Sequence, residues 1–535
     1  MMRMSGRPPT FRSIASHYDT EVSEQKFYVT TAIYYVNDRP GLHHAYEFTG
    51  TDALARFHRQ RGREVYFLTG SDENATKNAQ AAALAGEDTR AFVDRLAAEF
   101  KRAQDVYRIR SDRFIRTTDP DHVASVQEFI RRWIANDDVY LSTYDGLYCV
   151  GCEAFYEETD LVEGRCEFHP NRVIERLQEE NYFFRLTKYE QALKDLYAGQ
   201  PEFCVPEIRR NEVLGWLDRG LRDISISRRN LKWGIPFPDH PEHTVYVWFD
   251  ALINYVTGAG FPGDPERFAK WWPADLHVIG KDISRFHCLY WPAMLLAAGL
   301  PLPKQVYVHG FLEYGGQRLS KGTGNMIDPF LSADEWGVDG IRYLVLRAAP
   351  FARDSPVSAE IFDRLFNAEL ANGIGNTVQR TLAMIEKYFA GVVPEPNEGG
   401  AEERRVRDAA ARALERHDDL AGQLDFSGAI GEIVDLLKAV DRMYTETKPW
   451  ELAKQPASRA ALESVLYTGA EAVRIAGLLL WPYTPGVSET IAERLAQPRP
   501  DAEGWAHVAR WGALEPGARA RPGEGLFPRL GPTRG

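Results

Sequence analysis

The stretch KFYVTTAIYYVNDRPGLHHAYEFTGTDALARFHRQRGREVYFLTG (26–70) decides the fold. Its first part, 26–37, is rich in β-branched and aromatic residues and predicts a buried strand. DRPG (38–41) breaks that strand, 42–62 has the spacing of a helix, and 64–70 predicts a second strand. Strands that alternate with helices predict an α/β fold with a Rossmann-like, doubly wound parallel sheet.

The alternation stops near Asp138 and resumes with TVYVWFDALINYV (244–256), LHVIGKD (276–282) and KQVYVHGFLEY (304–314). After about Pro356, four or five amphipathic helices are predicted in place of strands. The sheet is therefore predicted to be split by an insertion and followed by an all-α helical bundle. The predicted divisions are a flexible lead-in (1–25), the sheet domain (26–137 and 231–356), the insertion (138–230), the helical domain (357–515) and a disordered Gly/Pro-rich tail (516–535).

The insertion contains Cys149, Cys152, Cys166 and His169, spaced C-x2-C-x13-C-x2-H. Three thiolates and one imidazole at this spacing predict a tetrahedral Zn²⁺ site, a zinc knuckle. Because the protein supplies all four ligands, the metal would be structural. The alternatives are ordinary buried thiols or disulfides.

The cysteine count bears on those alternatives. The chain has 5 cysteines, and the two outside the motif, Cys204 and Cys288, stand alone in the sequence. An odd total without a signal peptide favours a reducing compartment, where disulfides are rare.

Bulk composition limits the partners. No apolar run approaches the roughly 18–20 residues that span a bilayer, so we expect a soluble, cytoplasmic protein with no membrane partner. The net charge of −12 has the wrong sign for holding nucleic acid by bulk electrostatics. A nucleic-acid partner would have to be met by local patches and base-specific contacts.

Two segments are candidates for holding a phosphate. His43 and His44 lie in the first turn of the predicted helix, where backbone N–H groups favour an anion. The glycine-rich segment GGQRLSKGTGN (315–325) carries Arg318 and Lys321, and its lysine can lend charge to a developing pyrophosphate. The alternatives are two surface histidines and a solvated loop.

An aromatic set forms the third candidate. Tyr35, Trp248, Tyr255, Phe286 and His287 fall near the ends of predicted strands, with three acids nearby in the pattern: Asp72, Asp250 and Asp282. Aromatic rings with a few polar groups suit a small apolar ligand with a charged end. The alternative for any one ring is the core of the sheet.

From about Lys26 to Arg494 the chain resembles the methionyl-tRNA synthetases, which are class I aminoacyl-tRNA synthetases. The matching runs, in order, are AIYYVN-x-RP, ALARFHR, FIRTTDPDH, the Cys/His motif, VWFDALINYV, HVIGKDI-x-RFH, WPAMLLAAGLPLP, SKGTGNMIDP, ANGIGNT and TKPWELAK. The resemblance implies a ligase that activates methionine with ATP, with Mg²⁺ accompanying the ATP, and transfers it to tRNA(Met). It also implies a helical domain that binds the anticodon. With no further domain after the helices, we expect a monomer.

The resemblance also implies residue roles. The methionine side chain would lie among Ile33, Tyr35, Trp248, Ala251, Tyr255, Phe286 and His287, with Asp72 on the ammonium group. ATP would contact His43, His44, Gly280, Asp282, Ser320 and Lys321, of which His44 and Lys321 would stabilise the pentavalent phosphorus. Asn376, Arg380 and Trp450 would read the anticodon.

Two stretches depart from the family pattern. Gly41-Leu42-His43-His44 stands where the family has H-I-G-H, and Asn74-Ala75 replaces the last two residues of D-E-H-G. One alternative function is a paralogue that passes an activated amino acid to a small-molecule acceptor, and another is a non-catalytic binding protein. The intact anticodon set argues against the first, and the retained His44 and Lys321 argue against the second.

Overall fold

The computed structural model describes residues 26–531 apart from 153, 157, 159, 160, 230, 315, 316, 319–326 and 503. The predicted flexible lead-in, 1–25, lies outside the described residues, as do Ser320 and Lys321. The strands, numbered in chain order, are β1 (Lys26–Tyr35), β2 (Glu64–Asp72), β3 (Arg113–Arg116), β4 (Val139–Cys149), β5 (Ala154–Tyr156), β6 (Glu175–Phe184), β7 (Cys204–Val205), β8 (Ile224–Ser225), β9 (Ser227–Arg228), β10 (Pro236–Phe237), β11 (His240–Val245), β12 (Leu276–Gly280), β13 (Val306–His309), β14 (Leu312–Tyr314), β15 (Gln317–Arg318) and β16 (Ser355–Val357).

The α-helices, numbered in the same way, are α1 (Leu42–Gln60), α2 (Thr76–Ala85), α3 (Thr89–Val106), α4 (Pro120–Ala135), α5 (Glu190–Gly199), α6 (Glu207–Asp218), α7 (Val247–Ala251), α8 (Asn254–Ala259), α9 (Pro265–Trp271), α10 (Trp291–Ala297), α11 (Pro329–Trp336), α12 (Val338–Arg347), α13 (Ala359–Leu365), α14 (Asn376–Phe389), α15 (Ala401–Gly422), α16 (Phe426–Thr447), α17 (Pro449–Leu452), α18 (Arg459–Leu480), α19 (Pro485–Arg494) and α20 (Trp505–Val508). A wider π-helical turn, Phe286–Tyr290, precedes α10, and a second one, Phe366–Gly375, precedes α14.

The central sheet has six strands in the order β3-β2-β1-β12-β13-β7, and every pair is parallel. Successive side chains of a strand point to opposite faces, so β1 supplies two cores. Phe27 and Val29 pack with α1 on one face. Tyr28 and Ala32 pack with α4 and the segment around Trp291 on the other. The predicted doubly wound parallel sheet is confirmed.

The insertion contains an antiparallel sheet in the order β5-β4-β6-β8. It also sends one short strand back, because β7 pairs with β13 at the edge of the central sheet. The predicted insertion, 138–230, therefore also contributes a strand to the central sheet. The predicted domain boundaries did not anticipate this strand.

The run 244–256 is helical for most of its length. Only its first two residues belong to β11, which pairs with β9 and β10 outside the central sheet, and α7 and α8 follow. A short apolar run that is buried on all sides has the same pattern as a strand and as a helix, so periodicity alone could not separate them.

The helical domain is built mainly from α13 to α19, and α15, α16 and α18 are each 22 residues long. It packs directly against the sheet domain: the Gln60 side chain at the end of α1 donates to the carbonyls of Leu478 and Pro500, both at 2.9 Å. The expected helical bundle after the sheet is therefore present.

The prediction of a disordered tail was wrong for its described part, 516–531. Backbone hydrogen bonds join Val393 to Ala518 and Ala520 to Gly391. Ala520 and Phe527 are buried. A few apolar side chains are enough to hold this segment on the helical domain, and its glycine and proline content concealed them.

Candidate active site

A cavity opens where the strand order reverses, between β1 and β12. The chain continues from β1 to β2 on one side and from β12 to β13 on the other, so the carboxyl ends of β1 and β12 leave a crevice. Open α/β sheets bind ligands at this position. The cavity has a volume of about 1510 Å³ and is lined by residues that follow both strands, including Tyr35, His43 and Asp282.

The predicted amino-acid pocket forms one wall of this cavity. Trp248 stacks on Phe286 with ring centroids 3.7 Å apart and an interplanar angle of 9°. Tyr35 meets the Trp248 ring edge-on at 6.3 Å, and His287 does the same from another side. Ile33 and Ala251 line the same cavity. The structure therefore brings together side chains from β1, α7 and the π-helical turn before α10.

Tyr255 and His287 are the polar residues of this pocket wall, and they contact each other. The Tyr255 hydroxyl lies 2.7 Å from His287 Nε2, and His287 Nδ1 lies 3.0 Å from the carbonyl of Ile283. Burial lowers the pKa of His287 to about 4, so its imidazole is neutral at physiological pH. Both ring nitrogens are held by neutral groups, which suits the apolar part of a ligand.

Asp72 ends β2 and lies beside Tyr35 in the register of the sheet. Its side chain lines the cavity although the residue is only 2% exposed. A carboxylate at the rim of an aromatic pocket suits the ammonium group of an amino acid. The family resemblance predicts this role for Asp72.

His43 and His44 occupy the first turn of α1, and both line the cavity. His44 Nδ1 accepts a hydrogen bond from the Gly41 N–H at 3.0 Å, and the two imidazole rings are 3.8 Å apart. In the altered signature, His44 therefore caps its own helix. The Leu42 N–H donates to the carbonyl of Ile327 at 3.0 Å. Ile327 is the first described residue after Ser320 and Lys321, and it thus lies at the start of α1.

Gly280 and Asp282 lie at the end of β12. A Cβ atom on Gly280 would be 2.8 Å from Asp282 Oδ1, so a larger residue here would have to displace that carboxylate. Lys281, between them, forms an ion pair with Asp354. The turn therefore presents a carboxylate to the cavity, as expected for a group that binds ribose hydroxyls.

Two residues that the sequence analysis missed also line the cavity. Glu47 Oε2 lies 3.0 Å from His309 Nε2, and Glu47 Oε1 accepts from the Ala32 N–H at 3.0 Å. Both side chains are less than a tenth exposed. Glu47 could have been noticed in the sequence, because it places a carboxylate one turn after His44 on the buried face of the first helix.

Asp250 does not lie where the sequence analysis expected it, beside the aromatic set. It is fully buried and does not line the cavity. Its Oδ1 lies 2.7 Å from His122 Nε2, and its Oδ2 accepts from the Asn74 side chain at 2.6 Å. Asn74 therefore supplies a donor to a buried carboxylate of α7.

The four Cys/His residues converge on one point. Their ligand atoms all lie within 4.8 Å of one another, and Cys152 Sγ is 3.2 Å from His169 Nδ1. All five cysteines of the chain are free. A Cβ atom on Gly151 would lie 2.5 Å from His169 Cγ, so the chain closes tightly over the imidazole. This donor set fits a structural zinc ion.

The remaining two cysteines are neighbours in space, although the sequence separates them by 84 positions. Cys204 Sγ lies 3.7 Å from Cys288 Sγ, and both are buried. Their contact joins β7 to the π-helical turn that carries Phe286 and His287. No pattern in the sequence indicated this pairing.

The predicted anticodon residues lie on the helical domain. Asn376 and Arg380 are one turn apart on α14, and Asn376 is exposed. The Arg380 guanidinium lies 5.2 Å from the ring of Trp450, which is 37% exposed. An accessible ring beside a cation is a surface on which an unpaired base can stack.

Among the described helices, none is both long and apolar enough to cross a bilayer.

Comparison with known proteins accords with the geometry of the cavity. A family model described as tRNA synthetases class I (M) matches residues 27–382.

Similar proteins of known name extend this match to nearly the whole chain. The methionine–tRNA ligase of Thermotoga maritima is 42% identical over 509 residues, which cover 94% of this chain and 80% of the relative. That of Mycobacterium bovis is 44% identical over 517 residues, which cover 95% and 98%. A solved structure of Mycobacterium tuberculosis methionyl-tRNA synthetase in complex with methionyl-adenylate has a TM-score of 0.91 at 43% identity and covers 94% of this chain and 100% of that one. The chain belongs to the methionyl-tRNA synthetase family and is a class I aminoacyl-tRNA synthetase.

Proposed function

We propose that the protein activates L-methionine with ATP and transfers the methionyl group to the terminal adenosine of tRNA(Met). The observation that carries the proposal is the shared cavity, which places the aromatic pocket and Asp72 beside the first turn of α1. Methionine fits this pocket because its thioether is soft and polarizable and makes favourable contacts with aromatic rings.

In the first step, a carboxylate oxygen of methionine attacks the α-phosphorus of ATP in line. A new P–O bond forms, the bond to the β-phosphate bridge breaks, and pyrophosphate leaves. The protein supplies position and charge stabilisation. The imidazoles of His43 and His44, which line the cavity at the start of α1, support phosphate binding, and Asp282 would contact the ribose.

Lys321 and Ser320 belong to this proposal through the family pattern, because their segment lies outside the described residues. The hydrogen bond between Leu42 and Ile327 supports this assignment, since Ile327 follows both residues in the chain and lies at the start of the helix that would hold the phosphates. Mg²⁺ would accompany ATP as a counter-charge. In the second step, a ribose hydroxyl of the tRNA's last adenosine attacks the activated carbonyl, and AMP leaves.

Cys149, Cys152, Cys166 and His169 would hold zinc, which would fix the fold of the insertion and take no part in the reaction. Asn376, Arg380 and Trp450 would select the tRNA by contacts with unpaired anticodon bases, in keeping with a chain of net charge −12. We further propose that the protein acts as a monomer in the cytoplasm.

ATP–pyrophosphate exchange with each amino acid tests the first step, and charging of a tRNA(Met) transcript tests the second. We expect exchange with methionine to exceed exchange with leucine or isoleucine. Absence of exchange with every amino acid would overturn the proposal. Exchange without charging would instead support transfer to a small-molecule acceptor, for which the relatives give no support.

A further inference from the structure

Lys77, which is absent from the residue roles considered so far, bridges the aromatic pocket and the metal-binding insertion. It lies in the first turn of α2, and its ammonium nitrogen is 3.1 Å from the centroid of the Tyr35 ring. The same ammonium donates a hydrogen bond to the carbonyl of Gly151 at 3.1 Å. One side chain therefore touches a wall of the amino-acid pocket and the backbone between the first two metal ligands.

A second contact runs in parallel. The indole N–H of Trp248 donates to the carbonyl of Cys152 at 3.2 Å. Both carbonyls belong to the tight turn of the Cys/His motif. That turn is closely packed, because a Cβ atom on Gly151 would collide with the His169 ring. The turn therefore offers a well-packed support for two side chains of the pocket.

The chemistry of the Lys77 contact is specific. An ammonium group over an aromatic face is attracted by the ring quadrupole, and the attraction grows as water is excluded. The Gly151 carbonyl accepts one of the three N–H donors and fixes the direction from which the ammonium approaches the ring. Lys77 is partly buried and lines the cavity, so the arrangement is partly shielded from solvent.

We propose that Lys77 is a positioning residue for amino-acid binding: it fixes the Tyr35 ring in the pocket wall by tying that ring to the backbone of the metal-binding turn. The proposal rests on the proposed function and names a determinant of its amino-acid step. Lys77 acts through Tyr35 and does not touch the reacting atoms.

Three variants test the proposal. Lys77→Met keeps the length of the side chain and removes its charge and its donors. Lys77→Arg retains a cation that can lie over the ring and donate to the carbonyl. Lys270→Met is the matched control, because Lys270 also lies over an aromatic ring, 5.0 Å from the centroid of Trp271, and forms one ion pair, with Glu64, but does not line the cavity.

The readouts are the KM for methionine, the KM for ATP and kcat in pyrophosphate exchange, together with zinc per chain. For Lys77→Met we expect a rise in the KM for methionine of about tenfold, which corresponds to about 1.4 kcal/mol. The KM for ATP and the zinc content should stay within about twofold of the values for the parent. Lys77→Arg should recover most of the loss, and Lys270→Met should match the parent.

Several results would overturn the positioning role. An unchanged KM for methionine in Lys77→Met would do so, a selective rise in the KM for ATP would make Lys77 a phosphate contact, and loss of zinc would make it a support for the metal site only. Failure of the proposed function is distinct from these results, since it would appear as no exchange in the parent protein.

Discussion

Asp52 on α1 offers a prediction whose size follows from its surroundings. Its Oδ2 accepts from Arg56 Nε at 2.7 Å and from Arg342 Nη2 at 2.8 Å, and its Oδ1 accepts from the Arg110 N–H at 2.8 Å. The side chains of Asp52 and Arg342 are 0% exposed, and that of Arg56 is 2% exposed. Arg342 also donates to the carbonyls of Pro482 and Tyr483.

Asp52→Asn keeps the shape of the side chain and removes its charge. Two buried guanidinium groups would then lack their counter-charge, and the amide nitrogen would face a donor. Removing one partner of a buried ion pair costs about 3–5 kcal/mol. We expect the free energy of unfolding in urea at pH 7 to fall by about that amount.

Asp94→Asn is the matched control. Asp94 also pairs with two arginines, Arg90 four residues away on the same helix and Arg116 on another element, but its side chain is 44% exposed. Exposed pairs contribute about 0–1 kcal/mol, so this variant should unfold nearly as the parent does. Equal losses in the two variants would refute the reasoning, because burial would then have no influence on the cost.

The pH dependence of the Asp52 effect has a definite sign. Burial raises the pKa of Asp52, but the charges of Arg56 and Arg342 outweigh burial and leave it lowered. The stabilisation is therefore fully present above the unfolded pKa of about 3.9 and is lost as the pH falls through the folded value. The difference between the parent and Asp52→Asn should accordingly be constant from pH 7 to 5 and shrink in stronger acid.

Three further predictions follow from the site. Gly151→Ala should weaken zinc retention during dialysis against a chelator by about tenfold or more, since the new methyl group would displace the His169 ring. The control Gly199→Ala should retain zinc like the parent, because a Cβ atom there meets no atom within 4 Å. Equal retention in the two variants would contradict the predicted clash. Because the pKa of His287 is lowered to about 4, its contribution to stability is lost as the pH falls from about 6.5 towards 4. Between pH 6.5 and 5, the free energy of unfolding in urea should therefore fall by about 1.6 kcal/mol less for His287→Gln than for the parent. Identical pH slopes would argue against a buried neutral imidazole. Trp450→Ala should raise the KM for tRNA by about tenfold while leaving pyrophosphate exchange unchanged, since base stacking on an aromatic ring contributes about 1–3 kcal/mol; an unchanged KM for tRNA would exclude this ring from anticodon binding.

Much of the candidate site could be predicted because its parts are local in the sequence. Cys149, Cys152, Cys166 and His169 lie within 21 residues and converge as their spacing predicted. Tyr35 became a candidate because it lies near the end of a predicted strand, and the ends of parallel strands share one edge of a sheet. Gly280 was assigned from the family resemblance alone. The Asp250 side chain could not be assigned in this way, since its neighbours His122 and Asn74 come from distant elements.

By itself the sequence determined the alternation of strands and helices, the metal ligands and the family, because strand and helix periods and ligand spacings act over a few residues. Only the tertiary structure decided that β7 returns to the central sheet, that Glu47 meets His309, that Cys204 meets Cys288, and that Lys77 connects Tyr35 to Gly151. These contacts join residues that are 74 to 262 positions apart or that lie on different elements. Their energies depend on burial and distance, and no local pattern of residues encodes either quantity.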